Sequence, residues 1–186
     1  MEIMQFRLVT TARGQSSNCP LQTIKQNTDF DLVLTVRDLR PPGTFTYNGK
    51  PKALPRGVFA AYCFVQFPPE IPIVGIVPHS SFQEGLLVQN VGSSMIKCGA
   101  FSRNLIGLAG EVSMFRFQCR TQSIYDPTVY LNFGVEISGI ERPMYAPLVY
   151  GLSPDVIREQ NLPASELGAV KDEEVRIVPA TLKVTQ

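Results

Sequence analysis

The chain has 186 residues, of which 44% are hydrophobic and 18% charged. That balance excludes a disordered polymer, which is charged and poor in apolar residues, and a coiled coil, which needs Ala, Glu, Lys and Leu at heptad spacing. Seventeen basic and sixteen acidic residues leave a formal charge of +1, so there is no electrostatic footprint for nucleic acid or for an anionic membrane surface.

Alternation of apolar and polar residues dominates, the two-residue period of half-buried strands. The opening MEIMQFRLVTTARG sets Met4, Phe6 and Leu8 against Gln5 and Arg7. A signal peptide needs an unbroken apolar stretch of about 7–15 residues, and Glu2, Gln5 and Arg7 interrupt any such run. In residues 30–37, Phe30, Leu32, Leu34 and Val36 share one face, with a wet face opposite. Residues 40–57, RPPGTFTYNGKPKALPRG, hold four prolines and three glycines. They read as a long functional or disordered loop, with Asn48-Gly49 as a tight-turn signal. Residues 57–67, GVFAAYCFVQF, are apolar on both faces and read as a central strand covered on its second face. The surrounding apolar stretch is broken by Pro68, Pro69, Glu70 and Pro72, too often for a membrane span of about 20 residues.

Weaker strands are expected at 72–77, 86–90 and 95–101. From 113 to 121, Phe115, Phe117 and Cys119 point one way, and Met114, Arg116, Gln118 and Arg120 the other. From 128 to 138, Val129, Leu131, Phe133, Val135 and Ile137 share a face. The expected core is therefore Phe30, Leu32, Leu34, Val36, Phe115, Phe117, Val129, Leu131, Phe133 and Val135. Residues 139–172 lack a period but are too apolar for a free linker. Within them, Ser153 as N-cap and Pro154 at the first helical position support a short helical turn. A last strand covers 175–185, with Pro179 marking a bulge or an edge.

With no long amphipathic helix, the elements define an all-β chain: an antiparallel β-sandwich of jelly-roll or Ig-like type, about nine strands, with long irregular loops. The expected organisation is a sandwich core over 1–138 and an extension over 139–186, whose final strand returns to the sandwich.

The available chemistry is sparse. The one histidine, His79, lies in a Pro-His-Ser-Ser-Phe segment without the nucleophile elbow or orienting acid of a triad, so no catalytic residue is assigned. Gly107-Leu108-Ala109-Gly110 lacks the Lys-Ser/Thr end of a phosphate loop. Cys19, Cys63, Cys98 and Cys119 contain no CxxC, which argues against a zinc site, and no metal or cofactor is expected. Cys63 and Cys119 read as buried, reduced thiols of a chain that folds in a reducing cytoplasm, with a disulfide as the alternative.

Four segments taken together resemble the cohesin and related carbohydrate-binding-module families of bacterial extracellular β-sandwiches. DFDLVLTVRDLR is similar to their opening core strand. GVFAAYCFVQFPPEIPIVGIV resembles their signature hairpin, GLAGEVSMFRFQCRT a later Phe-x-Phe strand, and YDPTVYLNFGVEI the strand after it. The resemblance covers residues 30–137. It implies a nine-stranded jelly roll and a binding role, and it carries no functional residue across.

Neutral charge, the missing export signal and the Pro-rich arms lead to a non-enzymatic structural or interaction protein. The first expectation is a phage virion component, made in the host cytoplasm, that decorates a capsid or sits at a neck or tail. The alternative is an extracellular recognition module of cohesin or carbohydrate-binding type. Expected partners are proteins, namely further copies of the chain and other virion proteins, with carbohydrate only under the alternative. The expected protein-binding residues are Phe45 and Tyr47 in the first arm and Tyr145, Leu148, Val149, Tyr150 and Leu152 in the second, because ordered apolar arms need a surface to bury against.

Overall fold

The computed structural model describes residues 1–47, 49–53, 58–78, 87–91, 94–106, 110–122, 129–141 and 170–186. Its strands are β1 (Met4–Ala12), β2 (Thr23–Lys25), β3 (Asp29–Asp38), β4 (Thr44–Tyr47), β5 (Lys50–Ala53), β6 (Val58–Gln66) and β7 (Ile73–Pro78). They continue with β8 (Leu87–Asn90), β9 (Met95–Ile106), β10 (Val112–Arg120), β11 (Tyr130–Glu141), β12 (Val175–Val178) and β13 (Ala180–Thr185). The described residues thus hold more strands than the nine expected. Eleven of them build two stacked sheets, one ordered β12-β1-β3-β10-β7 and one ordered β2-β13-β11-β6-β9-β8. The all-β sandwich is the architecture read from the alternation.

The apolar faces meet as expected. Phe30, Leu32, Leu34 and Val36 of β3 and Phe115 and Phe117 of β10 are fully buried, as are Leu131 and Phe133 of β11 to within a few per cent. Val129 and Val135 pack against this core from a partly buried position. Aromatic rings bridge the sheets edge-to-face: Phe30 meets Phe133 at 6.1 Å, and Phe67, just past β6, meets Phe117 at 5.2 Å, while Phe67 also meets Phe133 of its own sheet at 6.2 Å. Such pairs add to the area they bury.

Four details depart from the expectation. The outer face of β3 is not wet: Asp31, Val33 and Thr35 are all buried, because side chains of β1 and β10 close over them. Met114 belongs to the core, not to the outer face, because the β10–β3 register shifts between Ser113 and Phe115, and a β-bulge reverses the facing of the residues beyond it. The arm over 40–57 contains a hairpin, β4 paired with β5, with Tyr47 opposite Lys50 and Gly49 at φ 71°. That left-handed turn is one that glycine adopts without strain. Finally, 175–185 is two strands. Pro179, with no N–H to give a ladder, ends β12 in the five-stranded sheet, where it runs parallel to β1. β13 then enters the other sheet, antiparallel to β11 and parallel to β2.

The four cysteines are free thiols in the structure, Cys19 exposed and Cys63, Cys98 and Cys119 buried. Burial pushes the Cys119 thiol up to about 12, where it stays protonated and unreactive. No helix among the described residues is long and apolar enough to cross a membrane.

Candidate recognition face

The two sheets present outer faces of different character. On the five-stranded sheet the charges are spent on one another. Asp31 stands on β3 with a side chain closed to solvent, between Arg13 and Arg116. Arg13 Nε lies 2.8 Å from its Oδ1, and Arg116 Nη1 donates to Oδ2 at 2.9 Å. The Gly14 N–H donates to the same Oδ2 at 2.8 Å. Gly14 has φ 77°, so the turn after β1 can aim its amide back at the carboxylate.

Further along this face Arg7 Nε donates to Glu111 at 2.6 Å, and the Thr35 hydroxyl donates to the same carboxylate. Burial works to raise the Glu111 pKa, but the hydrogen bonds from Arg7 and Thr35 and the charge of Arg7 outweigh it and hold the carboxyl below its ordinary range. A carboxylate with a depressed folded-state pKa contributes stability above its unfolded value, and that contribution is lost as pH falls through the folded value. Glu111→Gln is therefore expected to flatten the decline of Tm as pH is lowered from about 4.3, the unperturbed glutamate value. The check is thermal unfolding of both proteins across the acid range. An unchanged acid limb would remove Glu111 from the linkage.

The outer face of the six-stranded sheet keeps its side chains half open. β6 alternates inward Ala61, Cys63 and Val65 with outward Tyr62, Phe64 and Gln66. Each outward residue is seated by its cross-strand partner. Tyr62 faces Gly99 of β9, and its ring occupies the space that a Cβ at Gly99 would need. Glycine is thus the residue that lets the ring lie down on the sheet. On the other side, Ser138 Oγ of β11 donates to the Tyr62 carbonyl at 2.8 Å. Phe64 lies between Lys97 of β9 and Glu136 of β11. The Lys97 ammonium sits 5.6 Å from the Phe64 ring centroid, a cation–π contact. Gln66 lies over Gly134 in the same manner as Tyr62 over Gly99. The result is a row of two aromatics and an amide, braced from both sides and still partly exposed.

Phe45 and Tyr47 fall on β4, with side chains outside the described residues, as are Tyr145, Leu148, Val149, Tyr150, Leu152 and His79. Tyr62 and Phe64 were not singled out from the sequence, although the two-faced apolarity of 57–67 was the available signal. A separate concavity of about 400 Å³ opens at one end of the sandwich, lined by Glu70, Asn90, Ser94 and Gln122 among apolar neighbours such as Phe67 and Met95. Among the described residues, no group of three or more His, Cys, Asp or Glu is placed to hold a metal ion.

Two facing sheets, one edged by the parallel pairing of β1 with β12, form a β-sandwich of jelly-roll type. Its neighbours among solved structures give that sandwich the cohesin fold. The chain is similar to a non-cellulosomal cohesin from the archaeon Archaeoglobus fulgidus, at 12% identity and TM-score 0.53 over 98% of this chain and 92% of that one. It is similar to the seventh ScaB type I cohesin of Pseudobacteroides cellulosolvens, at 5% identity and TM-score 0.59 over 99% and 93%. A third neighbour is the third ScaC cohesin of Acetivibrio cellulolyticus, solved in complex with the ScaB dockerin, at 9% identity and TM-score 0.56 over 99% and 100%. No family model matches the sequence, and no curated protein matches it.

Proposed function

We propose that the protein is a non-enzymatic recognition module of cohesin type, which binds a dockerin-like protein partner through the outer face of β8, β9, β6 and β11. The observation that carries this reading is the braced row of Tyr62, Phe64 and Gln66 on a sandwich whose neighbours are cohesins. Half-exposed aromatics fixed before binding lose little conformational freedom on association, and such anchors dominate interface energetics. Lys97 and Glu136 beside Phe64 add charges of both signs that set the register of a partner. On the opposite sheet Asp31 and Glu111 are already paired, which leaves less for a partner to use.

A protein ligand fits this face better than a glycan. The chain has no tryptophan, the Tyr62 ring lies against Gly99, and Lys97 lies over the Phe64 ring. The resemblance implies an extracellular module. The neighbours described above are cohesins, and none of them points to a virion component.

The test is calorimetric titration of the protein with a panel of dockerin modules, with soluble cello- and xylo-oligosaccharides as glycan controls. Binding by at least one dockerin and none by the glycans is expected. Phe64→Ala should then weaken that binding by roughly 30-fold, the equivalent of a hot spot of about 2 kcal/mol. Arg120→Ala, on the opposite sheet, should leave it unchanged. Binding to glycans alone, or binding indifferent to Phe64, would overturn the reading.

A further inference from the structure

We infer that Cys63 and Cys98 are the site of a cross-strand disulfide, formed when the chain folds in the presence of an external disulfide oxidant. The two residues are direct partners in the antiparallel register of β6 and β9. Both face the core, and their Sγ atoms are 3.5 Å apart. Opposed Cα atoms in an antiparallel pair lie about 4.5–5.5 Å apart, inside the span of about 4.4–6.8 Å that a disulfide bridges. Passing from contact to bond therefore needs side-chain rotation and no slip of the strands. The register also selects the pair. Cys119 lies on β10 of the other sheet, opposite Phe30, and its thiol donates to the Phe117 carbonyl at 3.5 Å. Cys19 is exposed outside the strands.

The chemistry balances by thiol–disulfide exchange. One cysteine thiolate attacks a sulfur of the oxidant, forming a mixed disulfide and releasing one oxidant thiol. The second cysteine thiolate then displaces the other. Two cysteine S–H bonds and the oxidant's S–S bond are lost, and one protein S–S bond is gained. The two electrons and, by way of solvent, the two protons leave on the oxidant as its pair of thiols.

Timing follows from burial. In the folded chain both sulfurs are closed to solvent, and the hydrogen bond shared with Cys63, together with burial, holds the Cys98 thiol far above its ordinary range. The folded dithiol is therefore inert, and the bond must form before the sheets close. Once enclosed, it is equally shielded from reductants. Between the two cysteines the chain crosses to the opposite sheet as β7 and returns as β8, so the bond fastens that excursion at its base. This inference is independent of which partner the sheet face binds.

The experiment is refolding of the reduced, denatured protein in a mixture of oxidised and reduced glutathione, and separately in dithiothreitol. Free thiols are then alkylated under denaturing conditions, and the non-reduced digest is read by mass spectrometry. The oxidised sample is expected to yield one linked peptide pair, Cys63 with Cys98, lighter by two hydrogens than its separate parts, with Cys19 and Cys119 alkylated. Its Tm should exceed that of the dithiothreitol sample by about 10 °C, from the loop entropy removed from the unfolded chain. A double variant, Cys19→Ser with Cys119→Ala, should still form the link, and Cys63→Ala should lose it. Alkylation of both Cys63 and Cys98 after oxidative refolding, or a link from either to Cys19 or Cys119, would overturn the inference.

Discussion

Replacing Asp31 with alanine should lower the unfolding free energy by about 3 kcal/mol, the lower end of what breaking a buried ion pair costs. The carboxylate is closed to solvent, while Arg13 and Arg116 keep 34% and 22% of their side chains exposed. Removing Asp31 therefore leaves two cations that can turn toward water, which limits the penalty, and strands the Gly14 amide that donates to it. Arg13→Ala should cost less, because Arg116 still neutralises the carboxylate and the Gly14 amide still donates to it. The check is urea unfolding, with a lower midpoint at unchanged slope. A loss below about 1 kcal/mol would put this cluster with ordinary surface ion pairs.

Phe117→Ala is expected to cost about 3–5 kcal/mol, the sum of lost transfer energy and a cavity the fold cannot collapse. Phe117 is fully buried, held between Leu32 of β3 and Ile76 of β7 in the ladder. It also touches Phe67 across the sandwich, so both sheets lose a contact when it is cut back. Phe117→Leu should recover most of the loss, since it refills much of the volume. Equilibrium denaturation of the three proteins tests this. Equal destabilisation by Ala and Leu would point to ring geometry over volume as the source.

The core was legible in the sequence because a strand reports burial through its period, and Phe30 to Val36 carries that period cleanly. The outer face of β3 was not legible for the opposite reason. Asp31 and Thr35 look solvated by residue type, and only the register that brings Arg13, Arg116 and Glu111 beside them makes them buried. Met114 was misplaced by a bulge, an event set by strand pairing and invisible to alternation. The second apolar face of 57–67 was legible as a face in need of cover, but what seats Tyr62 and Phe64, namely Gly99 and Lys97 of β9 and Glu136 of β11, comes from strands far away in the chain. The arms that the sequence favoured as a binding surface lie mostly outside the described residues, and the candidate face described above is built from the sheet alone.

The switch of sheets at Pro179 bears on how the chain leaves the ribosome. β1 is made early, yet one of its two ladder partners is β12, with Met4 against Val175 and Arg7 against Val178. Until those late residues emerge, β1 has only β3 beside it, and a row of its amides and carbonyls stays open to any passing strand, the usual opening for misassembly. Pairings this distant in the chain are slow to form. Translation thus produces most of both sheets before β12 and β13, which cover the open side of β1 in one sheet and join β2 to β11 in the other.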